Sequence, residues 1–484
     1  MSKSIKRNVL ILMSDEHNAA VAGYEGHTQV RTPNLDRLST MGTQFRAAYT
    51  ASPICVPARA SFATGLPVST HRCWDNVLAW KGTPKGWHHE LRDRGHRVAS
   101  IGKLHFAGHH GDDYGLTEAL LPMHVQGGTG DAQMLFREAS VTRPAGVRLG
   151  QEVGPGESEY TLYDRKITSE AQIWLQKIAL SSPEKPWVLF VSWVAPHFPL
   201  IAPPEHFFRY VDLDIPLPKQ WRHGERPNHP YVTHHIRRSC YDEGFKGPEQ
   251  VKRALAAYFG LTTFMDENVG KILAVLDRTD LWKSTDVLYT SDHGDNLGTR
   301  GMWGKSSMYE ESARVPMIAV GEGFESGKVI DTPVSHTDVA PWVLNSTGCS
   351  EAIHSLKLPG TCLKSIVSGA HAERAVVSEF HTGAPDGFWM LRDKRYKYIH
   401  YIGFPDQLFD LVNDPEEQHD LASNDGNSGL LREFKSRLER LVDTVSTNAL
   451  AHADQEAMID QLGGRAEIAK RKAMPFTPAP TQNT

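Results

Sequence analysis

The chain has 484 residues, 40% hydrophobic and 23% charged, with a formal net charge of −5. That length supports a large core with a smaller second domain, and the acidic balance offers no basic footprint for nucleic acid. No run of 18 apolar residues exists to cross a membrane, so neither nucleic acid nor membrane is an expected partner. Five cysteines, odd in number and scattered, read as reduced thiols rather than a disulfide framework. The start, Met1-Ser2-Lys3-Ser4-Ile5-Lys6-Arg7, is basic, but the apolar run behind it is too short for a signal peptide. A cytoplasmic, bacterial protein is expected.

Asn8 to Met13 is a continuous apolar run, as in a strand buried on both faces of a parallel sheet. It ends at Ser14-Asp15-Glu16-His17, and the carboxyl ends of such strands are where open α/β sheets place ligands. Asp15 is there either a helix N-cap or a ligand for a hard cation. A capped helix follows at Thr32-Pro33, then Ser52-Pro53-Ile54-Cys55-Val56-Pro57-Ala58-Arg59. Pro57 suits the first turn of a helix. A helix over Ala58 to Leu66 puts Cys55 at its positive end, with Arg59 adding a permanent charge one turn in. Such a thiol is either a buried structural cysteine or a reactive one.

Cys55-x-Pro57-x-Arg59, followed by Thr64-Gly65, resembles the signature of the type I sulfatases of the alkaline phosphatase superfamily, with Ala63 where the family usually has leucine. The resemblance extends over residues 8 to 425. It implies that Cys55 is oxidised to formylglycine by a formylglycine-generating enzyme, that the hydrated aldehyde is the nucleophile, and that Arg59 holds it. It also implies that Asp15 binds a metal ion; many members have a second Asp where this chain has Glu16. His71-Arg72-Cys73-Trp74-Asp75-Asn76 lies near the nucleophile in the family. Trp74 and Asn76 are therefore candidate substrate-binding residues, although Asp75-Asn76 alone reads as a turn pair.

Further along, a helix is predicted over Gly86 to Arg94 and a strand over His96 to Ile101, leading into Gly102-Lys103-Leu104-His105. Lys103 and His105, two apart on an extended segment, project to one side. The resemblance assigns Lys103 to the sulfate oxygens and His105 to the formylglycine. Residues 111–160 and 200–245 read as long irregular excursions that shape the pocket mouth. A helix over Asp164 to Leu180 precedes a second central strand, Pro186 to Trp193, which ends in Pro196-His197-Phe198-Pro199. The family's Pro-His-x-Pro matches it, and there the histidine contacts the sulfate and the leaving-group oxygen. A long helix, Glu249 to Asp277, leads to a third strand, Thr285 to Thr290, which delivers Asp292-His293-Gly294. Many sulfatases have Asp-Asn at this point, whereas Asp-His is the pattern of choline sulfatases and phosphonate monoester hydrolases. Imidazole in place of an amide oxygen softens the site and moves preference from Ca²⁺ toward Mn²⁺. Lys305, in Gly301-Met302-Trp303-Gly304-Lys305, is the second sulfate lysine the resemblance implies.

From residue 375 short alternating strands predict an antiparallel sheet, followed by a helix over Gly429 to Thr447 and a Lys/Arg- and Pro-containing tail from Gly464. The expected fold class is α/β: a large, mostly parallel central sheet flanked by helices, alkaline phosphatase-like, with a smaller C-terminal antiparallel sheet plus helix. The expected partition is a catalytic domain over 1–370, a subdomain over 371–450, and a tail over 451–484 that is either frayed or docked on a neighbouring subunit. The implied site holds one divalent cation, Mn²⁺ or Ca²⁺, on Asp15, Cys55, Asp292 and His293, with Arg59, Lys103, His105, His197 and Lys305 completing the catalytic set. The implied activity is hydrolysis of sulfate monoesters through a covalent sulfo-enzyme, in a homodimer or homotetramer. Two other readings stand beside it: a phosphonate monoester or phosphodiester hydrolase using the same site, and a non-catalytic anion-binding homologue.

Overall fold

The computed structural model describes residues 6–480 apart from 182, 473 and 475; Met1–Ile5 of the basic start and Thr481 of the tail lie outside it. The first apolar run becomes the strand Asn8–Asp15 at the centre of an eight-stranded sheet. Its spatial order is Lys328–Ile330, Thr43–Phe45, Met317–Val320, Thr285–Ser291, Asn8–Asp15, Val188–Pro196, Val98–Lys103, Glu118–Met123. The central strand is parallel to both neighbours, and Met317–Val320 is antiparallel to both of its own. Val9, Ile11 and Met13 pack with the cysteine helix, Cys55–Thr64, and the helix Val339–Thr347. Leu10 and Leu12 pack with the long helices Glu159–Leu180 and Pro248–Thr279. The period-2 geometry of a strand produces this division, and two helical covers explain why the run shows no polar alternation.

The two excursions carry more structure than the sequence predicts. Residues 111–160 contain the edge strand Glu118–Met123 and the helix Ala145–Gln151; residues 200–245 contain the strand Leu200–Ala202 and the helix Pro230–Ser239. These elements are short and rich in Gly, Pro and His, so their periodicity is too brief to read from sequence. Among the described residues, no helix is long and apolar enough to cross a membrane.

The C-terminal sheet is antiparallel, Val376–Phe380, Phe388–Arg392, Tyr396–Tyr401 and Gln407–Asp410 in that order. The predicted helix over Gly429 to Thr447 is two helices, Ser428–Glu439 and Thr444–Gln461, and Asp443 caps the second by accepting from the Ser446 N–H at 3.0 Å. The boundary drawn at 450 falls inside that second helix, whose Gln455 reaches back to donate to Asp75 at 2.7 Å.

The tail corrects another expectation: it docks on its own chain. Gln133 donates to the Arg471 carbonyl at 2.8 Å, the Met474 N–H donates to Asp131 at 3.1 Å, and Phe476 packs edge-on against Tyr160 at 5.5 Å. Its apolar and backbone groups find partners in the excursion 111–160, where a neighbouring subunit was one of the expected sites.

A buried ion cluster ties the small sheet to the segment 308–310, which leads into the large-sheet strand Met317–Val320. Lys397 Nζ lies 2.6 Å from Glu310 and 2.7 Å from Glu417, and donates to the Met308 carbonyl at 2.9 Å. Lys397 and Glu417 are both sealed from solvent. Removing one member of such a cluster strands the others without compensation. Lys397→Met is therefore expected to cost about 3–5 kcal/mol of stability, read as a lower urea midpoint. An unchanged midpoint would show that the cluster does not hold the small sheet to that segment.

Candidate active site

Arg59 organises the site. It lies in the second turn of the cysteine helix, 2% exposed, and its guanidinium meets groups from the carboxyl ends of the central strands. Nε donates to Asp292 Oδ2, Nη2 to Asp15 Oδ2, and Nη1 to the Lys103 carbonyl and Ser192 Oγ, each at 2.8 Å. Burial opposes its charge, but Asp292 and Asp15 hold it protonated, with its pKa above the usual arginine value. Arg59, expected to hold the hydrated aldehyde and its loop, directs its planar fork to the strand ends, where two carboxylates suit it.

The helix begins at Cys55 itself, and Asn76 Oδ1 accepts from the Val56 N–H at 3.0 Å, satisfying one of its first-turn donors. Cys55 Sγ lies 3.1 Å from His293 Nε2, 3.8 Å from Asp15 Oδ1 and 3.4 Å from Lys305 Nζ. Burial, together with Asp15, pushes its thiol up to about 12, so an unmodified Cys55 is protonated and a poor nucleophile at neutral pH.

Asp15, Cys55, Asp292 and His293 are fully buried, and one ligand atom from each lies within 4.8 Å of all the others. The donor set fits a divalent ion. His293 Nδ1 is paired with the Gly294 carbonyl at 2.9 Å, which makes Nδ1 the protonated nitrogen and leaves Nε2 as a ligand lone pair. Arg59 occupies the Oδ2 atoms of both aspartates, so Asp15 Oδ1 and Asp292 Oδ1 face the cluster. Asp292 Oδ1 is further fixed by the N–H groups of Glu16, at 3.2 Å, and His293, at 3.0 Å. Burial raises the Asp15 pKa, but Lys103, 2.7 Å away, and Arg59 outweigh it and hold the carboxyl well below its usual range.

Glu16, at a left-handed φ of 65°, turns away from that cluster toward His197, 3.1 Å, and Lys305, 2.9 Å. Burial pushes its pKa up to about 8, partly offset by Lys305. Lys305 Nζ is also 2.7 Å from His197 Nε2, while His197 Nδ1 is 2.6 Å from the Phe198 carbonyl. Burial and Lys305 keep the His197 pKa well below the ordinary imidazole value. The ring is thus neutral with its proton on Nδ1, Nε2 accepts from the lysine, and Lys305 is the proton-bearing member of the pair.

Lys103 and His105 reach the same cavity, of about 200 Å³, as Cys55, Asn76, His197 and Lys305. Gly102 permits this approach: at φ 104° a Cβ there would lie 2.2 Å from the Ser192 carbonyl. His105 Nε2 pairs with Thr477 Oγ1 of the tail at 2.9 Å, and its Nδ1 is buried without a partner. No hydrogen bond joins His105 to Cys55 among the described residues. Trp74 does not line the cavity; it is fully buried, and its indole donates to Asp454 at 2.7 Å.

Sequence reasoning missed three contributors. Asp164 accepts from the N–H groups of Val194 and Ala195 at 2.8 Å each, clamping the strand end that carries His197. Asp295, which the sequence reads as capping or orienting its loop and so is not among the three, accepts from the Gly304 N–H at 2.9 Å and positions Lys305. Tyr160 and Thr477 close the cavity wall, and nothing local in the sequence marks either.

A mostly parallel sheet with acidic ligands, a helix-borne cysteine and two lysines at its carboxyl edge defines a hydrolase site of the alkaline phosphatase superfamily. The sulfatase family model matches residues 7–349, and a second model, N-sulphoglucosamine sulphohydrolase C-terminal, matches residues 298–444. The chain belongs to the sulfatase family. It is 33% identical to a choline-sulfatase of Rhizobium meliloti (strain 1021) over 445 residues, covering 87% of this chain and 83% of the relative. It is 28% identical to arylsulfatase K of Danio rerio over 468 residues, 92% and 85% of the two chains. The phosphonate monoester hydrolase of Agrobacterium radiobacter shares the fold with a TM-score of 0.70 at 21% identity, covering 92% of this chain and 96% of that one.

Calorimetric titration with Mn²⁺ is expected to show one ion per chain. Asp15→Asn and His293→Ala should each weaken it by more than the roughly 10–100-fold that loss of an outer hydrogen-bond partner costs a metal site. Unchanged affinity in both would place the ion elsewhere.

Proposed function

We propose that this protein is a metal- and formylglycine-dependent sulfatase that hydrolyses sulfate monoesters to an alcohol or phenol plus sulfate, through a covalent sulfo-enzyme at residue 55. The observation that carries the reading is the convergence on Cys55 Sγ of His293 Nε2 at 3.1 Å, Lys305 Nζ at 3.4 Å and Asp15 Oδ1 at 3.8 Å, at the buried start of a helix. Oxidised to formylglycine by a dedicated enzyme, residue 55 would supply a hydrated aldehyde, and one divalent ion, Mn²⁺ or Ca²⁺, on Asp15, Asp292 and His293 would polarise the ester.

The chain's own residues supply the rest. Lys103 and Lys305 present preorganised positive charge to the non-bridging sulfate oxygens in a water-poor site. A hydroxyl of residue 55, its proton passed to solvent, would bond to sulfur as the bond from sulfur to the leaving oxygen breaks. That oxygen takes its proton from Lys305, which is hydrogen-bonded to His197 and Glu16. His105, held by Thr477, takes the proton of the second hydroxyl; the carbon–oxygen bond to sulfate breaks and the aldehyde returns. The burial that holds the His105 pKa well below its ordinary value keeps the ring neutral and able to accept. The cytoplasm is the proposed location, supported by five cysteines that are all unpaired.

A second reading is favoured by one feature: His293 offers an imidazole ligand where many sulfatases have an amide, which suits phosphonate monoesters or phosphodiesters cleaved at the same site. A non-catalytic anion binder fits poorly, because it has no need of so many perturbed groups around one thiol.

Metal-free protein should regain hydrolysis of 4-nitrophenyl sulfate on addition of Mn²⁺, and exceed its rate on phenyl phosphonate monoesters. Mass spectrometry should find residue 55 as formylglycine, and Cys55→Ser should lose turnover. Near-wild-type rates from Cys55→Ser sink the scheme, and faster phosphonate hydrolysis selects the second reading.

A further inference from the structure

The charged side chains lining the cavity are Lys103, Asp131, Arg143, Arg238 and Lys305. Three of the four cations have a carboxylate beside them: Lys103 has Asp15 at 2.7 Å, Lys305 has Glu16 at 2.9 Å, and Arg143 is paired with Asp131. Asp131, the only carboxylate on this lining among the described residues, also accepts from the Met474 N–H of the tail. Arg238 differs. It is 5% exposed, and no ion pair reaches it among the described residues. Its Nη2 donates to the Phe136 carbonyl at 2.6 Å and Nη1 makes a long 3.4 Å contact to the Val141 carbonyl, while Nε has no partner among those residues. Burial and Arg143 lower its pKa to about 10, offset only in part by Glu138, which forms no ion pair with it; Arg238 is still charged at neutral pH. One turn earlier on the same helix, His235 lines the cavity at 6% exposure with its Nε2 buried and unpartnered.

A buried guanidinium without a counter-charge is costly unless something answers it. Tyr231, at the start of this helix, donates to the Ser306 carbonyl beside Lys305. Arg238 follows seven residues later, about 10 Å along the axis. We propose that the organic part of the substrate carries a second anionic group, a carboxylate or a second sulfate, and that Arg238, with Arg143 and His235, binds it on this wall. The proposal rests on the ester-hydrolase reading of residue 55. It assigns the excursions 111–160 and 200–245 their role in selecting the substrate, since Asp131 and Arg143 come from the first and Arg238 and His235 from the second. It also sets this chain apart from a site for a quaternary ammonium: the aromatic rings of the wall would suit one, but its only carboxylate among the described residues is already held by Arg143.

The test compares kcat/KM of the Mn²⁺-loaded enzyme for 4-(sulfooxy)benzoate, hydroquinone bis-sulfate, phenyl sulfate and 4-(trimethylammonio)phenyl sulfate. One of the two dianionic esters should exceed phenyl sulfate by about tenfold or more, the strength of hydrogen bonds to a charged group, and which of them leads identifies the group. The cationic ester should be slowest. In Arg238→Met the ratio of the preferred dianionic ester to phenyl sulfate should collapse, and in Arg238→Lys it should fall part of the way. A neutral or cationic ester that matches the dianions in the wild type overturns the proposal, as does an unchanged ratio in a folded Arg238→Met. If that variant does not fold, the wild-type ranking decides. Calorimetry of 4-hydroxybenzoate against phenol separates the two claims. Preferred hydroxybenzoate binding with no turnover of any ester rejects hydrolysis and keeps the anion subsite. Equal turnover of all four esters keeps hydrolysis and rejects the subsite.

Discussion

One buried guanidinium holds the site together. Arg59 is carried by a helix, yet each of its four short hydrogen bonds ends on a strand or on the residue just beyond one. Pairing it with two carboxylates in the interior contributes little net stability, because desolvation offsets most of the attraction. What the pairing supplies is orientation. It fixes one oxygen of Asp15 and one of Asp292, so that the other two point toward Cys55 and His293, and it ties the helix that carries residue 55 to the same strands. Side chains able to hold a cation that come from residues 15, 55, 292 and 293 need such a common anchor, because no local stretch of chain contains them all.

Around that anchor the protons are distributed by burial. His197 and His105 are held neutral, Glu16 is pushed toward the protonated form, and the acidic groups around Lys305 hold its pKa above the usual lysine value against its desolvation. The cavity therefore presents lysine cations and neutral imidazoles, an arrangement of charge suited to receiving an anion. The same logic makes Arg238 stand out: it is a charged group in the cavity wall with no carboxylate beside it.

The wall itself is a shared construction. The excursion 111–160 provides Asp131 and Arg143, the helix Pro230–Ser239 provides His235 and Arg238, and the tail closes the remaining side through Phe476 and Thr477. Asp131 links two of these by accepting from both Arg143 and the tail backbone. The shape of the cavity thus depends on contacts between segments that lie more than 300 residues apart.

Much of this was legible in the chain alone. A two-sided apolar strand must be covered by helices, so Asn8–Met13, Val188–Trp193 and Thr285–Thr290 announce a parallel sheet, and polar residues just past their ends announce the site. Short local motifs were enough to mark Cys55, Arg59, Lys103, His105, His197, Lys305, Asp15, Asp292 and His293. Local pattern could not give what depends on distance through space. Trp74 and Asn76 sit two residues apart, yet only Asn76 faces the cavity, because a turn between them is set by partners at Val56 and Asp454. The tail reads as unable to fold alone, and its contacts on the excursion 111–160 lie more than 300 residues away along the chain. Arg59 reads as a holder of the nucleophile until the strand ends that claim its guanidinium are seen together. The sequence by itself determined the class of sheet, which follows from periodicity, and, through short motifs resembling one family, the polar groups that meet at its carboxyl edge. The tertiary structure alone decided which partner each charge meets, because a hydrogen bond depends on where the folded chain brings two atoms and not on how far apart they lie along it.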